Sequence, residues 1–302
     1  MSETPNKYQL TPEQCVSYSV PSGSQWFFRQ TPARAALTAN EFMTAWDTSS
    51  GAKLFAAYPS APDFYKHFLK QPLDKRWGYE IIPESAPCKA YMNIEWLSPI
   101  DQGSDNHSRI LLIIEDIRNS FEEKYSRAPE IYVCCGSRVV WGQKTAFYKN
   151  SYHVVIANFV FENNWDGQMR SFFMCNPTTT TSVLDSESNA HWYYPDPNPI
   201  RHGKPKSVLD HHVYLKNHQF RLPLASMLGS DVPLTRISGN PFDVEDDFMS
   251  KTYSEEDLDN LLPMVLTHPP EESDFFFVPA RIILEDSELQ SELKSQKKGE
   301  EK

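Results

Sequence analysis

No apolar run in this chain approaches the roughly 20 residues that a membrane-spanning helix needs, so none is expected. Cysteine is scarce: Cys15, Cys88, Cys134, Cys135 and Cys175 make five, an odd number with no Cys-x-x-Cys pair. That excludes a disulfide scaffold and a zinc knuckle, and it suits a reduced intracellular protein. Met1 to Leu10 carries neither the apolar region of a signal peptide nor the Arg-rich, acid-poor character of a transit peptide. A soluble cytoplasmic or nuclear protein is the expectation. An excess of positive charge is also missing, since 29 Lys and Arg stand against 40 Asp and Glu for a net charge of −11. This gives no global nucleic-acid signature. A local basic groove stays open, because binding depends on where the cations sit. Acidic residues crowd instead into 245–259 and into the tail at 285–302, and no internal repeat is present.

What is there can build a core. The 302 residues are 40% hydrophobic and 13% aromatic, enough for one large domain or two intimately packed lobes. Residues 1–24 are polar and turn-rich and read as a mobile lead-in. From Trp26 to Trp46 the apolar pattern suggests short helices, and Asp63 is a candidate cap for a helix carrying Phe64, Phe68 and Leu69. Trp77–Ile82 and Cys88–Trp96 read as strands on either side of a proline-bounded turn. The clearest helix opens at Ser108, with Ile110, Leu111, Ile114, Ile117 and Phe121 on one face. Ile131–Val140 and Ser151–Phe161 read as strands, Asn164–Phe173 as a short helix, and 175–206 as a long irregular insertion. Ser207–Leu222 suggests paired strands, Ser254–Leu262 a helix with a Ser-x-x-Asp box, and the tail from 285 is charged and expected to fray. Mixed strands and helices without strict alternation indicate an α+β fold. The core is expected over 25–284.

Three segments place polar residues inside apolar strand sequence. In Tyr91-Met92-Asn93-Ile94-Glu95-Trp96, Asn93 and Glu95 share one face of a strand while Met92, Ile94 and Trp96 take the other. Oxygen donors on one face suit Mg²⁺ or Mn²⁺; the same pattern also fits an edge strand with a solvated polar side. In Lys149-Asn150-Ser151-Tyr152-His153, alternation aligns Lys149, Ser151 and His153. A cation, a hydroxyl and an imidazole in a row can contact a triphosphate, or simply form a polar outer face. The third segment is Val208-Leu209-Asp210-His211-His212-Val213-Tyr214, followed by Gln219-Phe220-Arg221-Leu222. Asp210 offers a further carboxylate and Arg221 a guanidinium suited to phosphate. The adjacent His211 and His212 would point to opposite faces of a strand, which disfavours a two-His metal site.

These segments, in this order, resemble the archaeo-eukaryotic primase superfamily and, within it, the eukaryotic PrimPol group. That family carries Asp-x-Glu, then Ser-x-His, then a single Asp. The likeness extends to the flanking words Tyr79-Glu80-Ile81-Ile82-Pro83-Glu84, Cys88-Lys89-Ala90-Tyr91 and Val213-Tyr214, and to Arg29-Gln30 with the alanines and Phe42 that follow, covering roughly 25–240. The resemblance implies a two-lobed α+β primase core with an RRM-like sheet and an active site in the cleft between lobes. It implies template-directed nucleotidyl transfer with two divalent ions, Mg²⁺ or Mn²⁺, on template-primer DNA and a nucleoside triphosphate. By position, Asn93, Glu95 and Asp210 fall in the catalytic metal-ligand places. Lys149, Ser151, His153, Gln219 and Arg221 face the triphosphate, and Arg29 and Gln30 lie near the template strand, or else are a helix-surface pair. A eukaryotic source would place such a protein in the nucleus or mitochondrion, and the acidic segments could recruit a single-strand-binding protein.

The sequence departs from the family pattern at two positions. Asn93 stands where the first motif has Asp, which fits either an engineered knockout or a naturally inactive paralogue that serves as a nucleic-acid-binding scaffold. Met227 stands where the family tends to have a second basic residue. No Cys/His cluster follows the core within this sequence, so the zinc-binding region that the family uses for priming is not expected in it, which fits either a truncated chain or a polymerase-only relative. A metal-dependent nuclease on the same carboxylates is a third reading.

Overall fold

The computed structural model describes residues 7–36, 41–84, 86–100, 107–142, 145–165, 169, 173, 191–195, 205–238, 243–244, 258–268 and 275–278. The protein is α+β. Its strands are β1 (Trp26–Phe27), β2 (Phe42–Asp47), β3 (Lys53–Tyr58), β4 (Gly78–Ile82), β5 (Cys88–Pro99), β6 (Ile131–Cys135) and β7 (Arg138–Trp141). They continue with β8 (Ala146–Phe161), β9 (Tyr193–Pro195), β10 (Pro205–Ser207), β11 (His218–Arg221), β12 (Thr235–Ser238), β13 (Asp243–Val244) and β14 (Phe276–Val278). The helices are α1 (Pro12–Ser17), α2 (Gln30–Ala35), α3 (Ala61–Phe68), α4 (His107–Tyr125) and α5 (Leu258–Leu261).

One sheet has the order β1-β3-β2-β4-β11, antiparallel throughout. A second, seven-stranded sheet is organised around β8, which pairs with β5 along one edge and with β6, β7 and β14 along the other. Its length of 16 residues explains this role, since one strand spans partners that are themselves short. The β9–β10 hairpin forms a third, two-stranded sheet. Apolar residues of both large sheets enter shared clusters. Ile82 and Phe220 of the first sheet pack with Tyr91, Met92 and Ile94 of the second, and Cys134 of β6 joins Trp46, Phe64 and Phe68.

Several expectations need correction. The stretch Trp26–Trp46 is two strands flanking α2, not a set of helices. All six residues of β2 are buried, and a strand buried on both faces shows no alternation to distinguish it from a helix. Ser60, not Asp63, caps α3: its hydroxyl accepts from the Asp63 main chain at 3.2 Å and donates to the Asp63 carboxylate at 2.6 Å. On α4 the buried stripe is Ile110, Ile113, Ile117 and Phe121, while Leu111 is exposed. Ile131–Val140 splits into β6 and β7 at Gly136, whose N–H donates to the Ser151 carbonyl. Within Ser207–Leu222 only His218–Arg221 is a continuous strand, and it pairs with β4. Most of the helix expected at Asn164–Phe173, and residues 254–257 of the one expected at Ser254–Leu262, lie outside the described residues, as do the tail at 285–302 and nearly all of 245–259.

Candidate functional site

Strand β5 presents Asn93 and Glu95 from one face, and β8 runs antiparallel with His153 opposite Asn93 and Ser151 opposite Glu95. Lys149 follows on the same face by alternation. Lys149 Nζ lies 2.7 Å from Glu95 Oε2, and Ser151 Oγ donates to Glu95 Oε1 at 3.3 Å. The solvated-edge alternative for β5 does not hold. The Glu95 N–H donates to the Val208 carbonyl at 2.7 Å and the Asp210 N–H to the Asn93 carbonyl at 2.9 Å, so segment 208–210 covers that edge. Asn93 is buried, as are Ser151 and His153.

That edge pairing delivers Asp210, 117 residues away in sequence, to Asn93, whose Nδ2 donates to Asp210 Oδ2 at 3.4 Å. Asp210 caps a 3-10 turn at His211–Val213, and its Oδ1 accepts from the His212 main chain at 3.0 Å and from the His212 ring at 2.9 Å. The two histidines therefore sit on a turn, not on alternate faces of a strand. Burial alone would raise the Asp210 carboxyl, but the hydrogen bonds from His212 and Asn93 outweigh it and hold the group below the ordinary carboxylate range. The turn is pinned reciprocally: Tyr91 Oη donates to the Val213 carbonyl and Tyr214 Oη to the Tyr91 carbonyl, each at 2.8 Å.

Strand β11 brings Phe220 against the His153 ring, centroids 4.1 Å apart, and against Tyr91 at 4.8 Å. Burial, then the charges of Arg221 and Lys149, holds His153 well below its usual pKa, so the ring is neutral at pH 7. Its Nδ1 has no hydrogen-bond partner among the described residues. Arg221 is only 6% exposed, makes no ion pair among the described residues, and leaves Nη1 without a partner. Burial and the nearby Arg138 lower it to about 10, which still leaves it a cation at neutral pH. The Glu95 charge offsets part of that burial, and Nη1 keeps a donor with which an anion could be met. Gly136 makes room for it, since a Cβ there would lie 2.3 Å from Arg221 Nη2.

A cavity of about 570 Å³ opens beside these groups, walled by Glu95, Lys149, Lys206, Asp210 and His212 with Tyr194 from β9. Asn93, Ser151, His153 and Arg221 are not on its wall. Gln219 stands half-buried opposite Ile81 and makes no hydrogen bond to the site among the described residues. Arg29 and Gln30 lie elsewhere, at the start of α2. The Arg29 guanidinium sits 4.8 Å from the Tyr8 ring centre, and Gln30 Nε2 donates at 3.4 Å to the Asn217 carbonyl, just ahead of β11.

Sequence reasoning missed Arg138 and Lys206. Arg138 stands opposite Lys149 in the β7–β8 ladder, and its Nη2 reaches to 3.1 Å from Met227 Sδ. It thus brings a cation to the neighbourhood of the position where the sequence has no basic residue. Lys206 lies four residues before Asp210, inside a stretch read as irregular, where β10 now holds it at the cavity. Proximity to Asp210 was the signal that could have found it.

The donor set falls short of a pair of divalent ions. It offers two carboxylates and one carboxamide; Glu95 is held by Lys149 and Asp210 by His212, and an N–H of Asn93 rather than an oxygen faces Asp210. Among the described residues no group of three or more His, Cys, Asp or Glu is placed to hold a metal ion, and no helix is long and apolar enough to cross a membrane.

No protein-family model matches the chain. A stretch of 47 residues is 38% identical to the human DNA-directed primase/polymerase protein, covering 16% of this chain and 8% of that protein. Similarity of that length supports a relation to primase–polymerases and nothing finer.

Proposed function

We propose that this chain is a primase–polymerase core that binds template DNA and a nucleoside triphosphate, and in which nucleotidyl transfer is crippled at Asn93. The observation that carries this reading is the meeting of Asn93, Glu95, Ser151, His153 and Asp210, from three separate parts of the sequence, beside a cavity that Glu95 and Asp210 line, with Arg221 buried on β11. The human protein with the matching stretch is named for primase and polymerase activity.

In this reading Lys149 and Lys206 meet the triphosphate at the cavity wall, Ser151 offers a hydroxyl donor, and Arg221 completes the phosphate contacts from beneath. Neutral His153, held against Phe220, contributes a hydrogen-bonding nitrogen without adding charge. Arg29 and Gln30 lie beyond the cavity, where contacts to the template backbone would set register. With a carboxylate at position 93, Glu95 and Asp210 would help to hold divalent ions, whose chemistry would be charge stabilisation at the attacking and leaving oxygens. Asn93 removes one negative charge from that task. A unit charge at ligand distance in a partly desolvated site is worth several kcal/mol, so transfer falls by at least about a thousandfold.

Primer extension with Mg²⁺ or Mn²⁺, comparing the chain with Asn93→Asp, tests this. The substitution is expected to raise extension by a large factor. If Asn93→Asp binds DNA normally and extends no primer, the polymerase reading is lost; shortened DNA would indicate a nuclease instead.

A further inference from the structure

Among the described residues the most exposed large apolar side chain is Trp141, 83% accessible at the end of β7. Among the described strands β7 pairs with β8 alone, with Val139 opposite Tyr148 and Trp141 opposite Ala146. Alternation puts Val139, Trp141, Ala146 and Tyr148 on one face of this hairpin. Val139 is exposed and Tyr148 half-buried. Trp141 and Tyr148 stand diagonally across the ladder, within reach of each other's rings. An edge strand that shows a valine and a tryptophan to solvent invites self-association, and folds ordinarily blunt such edges. An apolar face kept open in this way marks a place where something binds.

The local charge says what kind of ligand fits. Of the 302 residues 40 are acidic, yet none lies between Glu130 and Glu162, where Arg138, Lys144 and Lys149 supply three cations. A protein of net charge −11 repels a polyanion except where its own acidic side chains are missing. Arg138 and Lys149 stand opposite each other at the base of the hairpin, and Lys149 continues to the cavity wall. The exposed face is therefore joined, through the same strand, to the site already described.

We propose that the β7–β8 hairpin is a docking surface for single-stranded DNA, with Trp141 as the platform on which an unpaired base stacks and Tyr148 beside it. The proposal rests on the reading of this chain as one that binds template DNA, and it names where the unpaired strand is held. Every base has a π-face, so stacking on an aromatic ring is tolerant of sequence, and an acid-free surface admits the phosphates. A duplex offers no such face, because its bases are already stacked on one another. The occupant is therefore a single strand.

Fluorescence anisotropy of a labelled oligothymidylate, titrated with the intact chain, tests the proposal. Trp141→Ala is expected to weaken binding by about five- to a hundredfold, and Trp141→Phe, which keeps a ring, to stay within about threefold. Trp141 is exposed, so neither change removes core packing, and circular dichroism confirms that both variants are folded. Full binding by Trp141→Ala overturns the hairpin site while the template-binding reading stands. If the intact chain binds no oligothymidylate, both are lost. A Trp141→Phe protein as weak as Trp141→Ala, or a duplex of equal length bound as tightly as the single strand, overturns base stacking as the contact. If Trp141→Ala keeps its DNA affinity and sedimentation shows that it dissolves a dimer of the chain, the face is a self-interface instead.

Discussion

Gly136→Ala isolates the role of Arg221 without touching its charge. Gly136 is not among the glycines with positive φ, so alanine meets no backbone penalty there. The new methyl carbon would instead stand 2.3 Å from Arg221 Nη2 and 3.2 Å from its Cζ. Ordinary contact needs more than 3.4 Å, so the guanidinium must move by about 1 Å, a shift that destabilises by roughly 1–3 kcal/mol. A guanidinium displaced that far loses its aligned bond to a phosphate oxygen, worth roughly 1.5–3 kcal/mol, which predicts nucleotide binding weaker by about ten- to a hundredfold. Calorimetry with a deoxynucleoside triphosphate measures this loss. Repeating Gly136→Ala on an Arg221→Met background separates mechanism from general damage. If the methyl acts through the guanidinium, it adds little once Arg221 is gone, and the double-mutant cycle shows strong coupling. Full binding in a folded Gly136→Ala protein, or an equal loss on both backgrounds, refutes the reasoning.

Two further predictions concern the frame that holds the site. Burial lifts Glu80 to about 7, against opposing hydrogen bonds from Leu266 and Thr267 and the Lys89 charge. A raised pKa in the folded state means that this stabilisation is complete below about 4.5 and lost as pH rises through about 7, so the wild type should lose roughly 2–2.5 kcal/mol relative to Glu80→Gln between pH 5 and 7.5. Lys89, lowered to about 8, changes mainly above that window; a difference in urea stability that stays flat with pH contradicts the assignment. Tyr214→Phe removes the donor to the Tyr91 carbonyl and should cost about 1–2 kcal/mol in the same assay, whereas an unchanged midpoint would mean that the turn bearing Asp210 is held by other contacts.

The sequence carried the strands of the site better than it carried the rest. Asn93, Glu95, Ser151 and His153 were legible as pairs because alternation within a strand is a local property, and the β5–β8 register then aligned one pair opposite the other. The register itself was not legible. Nothing local says that Ser151 stands opposite Glu95 rather than two residues along. The position of Asp210 beside Asn93 depends on a short bridge between segments 117 residues apart, which no periodicity reports. Segment Phe42–Asp47 was misread for the related reason that burial on both faces erases the pattern. Arg138 and Lys206 were missed because their relevance comes from tertiary neighbours, Lys149 and the cavity wall, and not from their own sequence surroundings. Arg29 and Gln30 keep an assignment that rests on resemblance, since their contacts are with Tyr8 and Asn217 and not with the cavity.

The same geometry explains how the fold accommodates Asn93. An aspartate there would set two carboxylates against each other at the place where Asn93 Nδ2 now lies 3.4 Å from Asp210 Oδ2. Asn93 is buried and Asp210 half-buried, so their repulsion would be only partly screened, and a bound cation or a proton would relieve it. The amide turns that repulsion into a hydrogen bond and leaves Asp210 its other oxygen for His212. Glu95, meanwhile, is neutralised by Lys149 at 2.7 Å. Each acidic group in the site therefore has a partner within the protein.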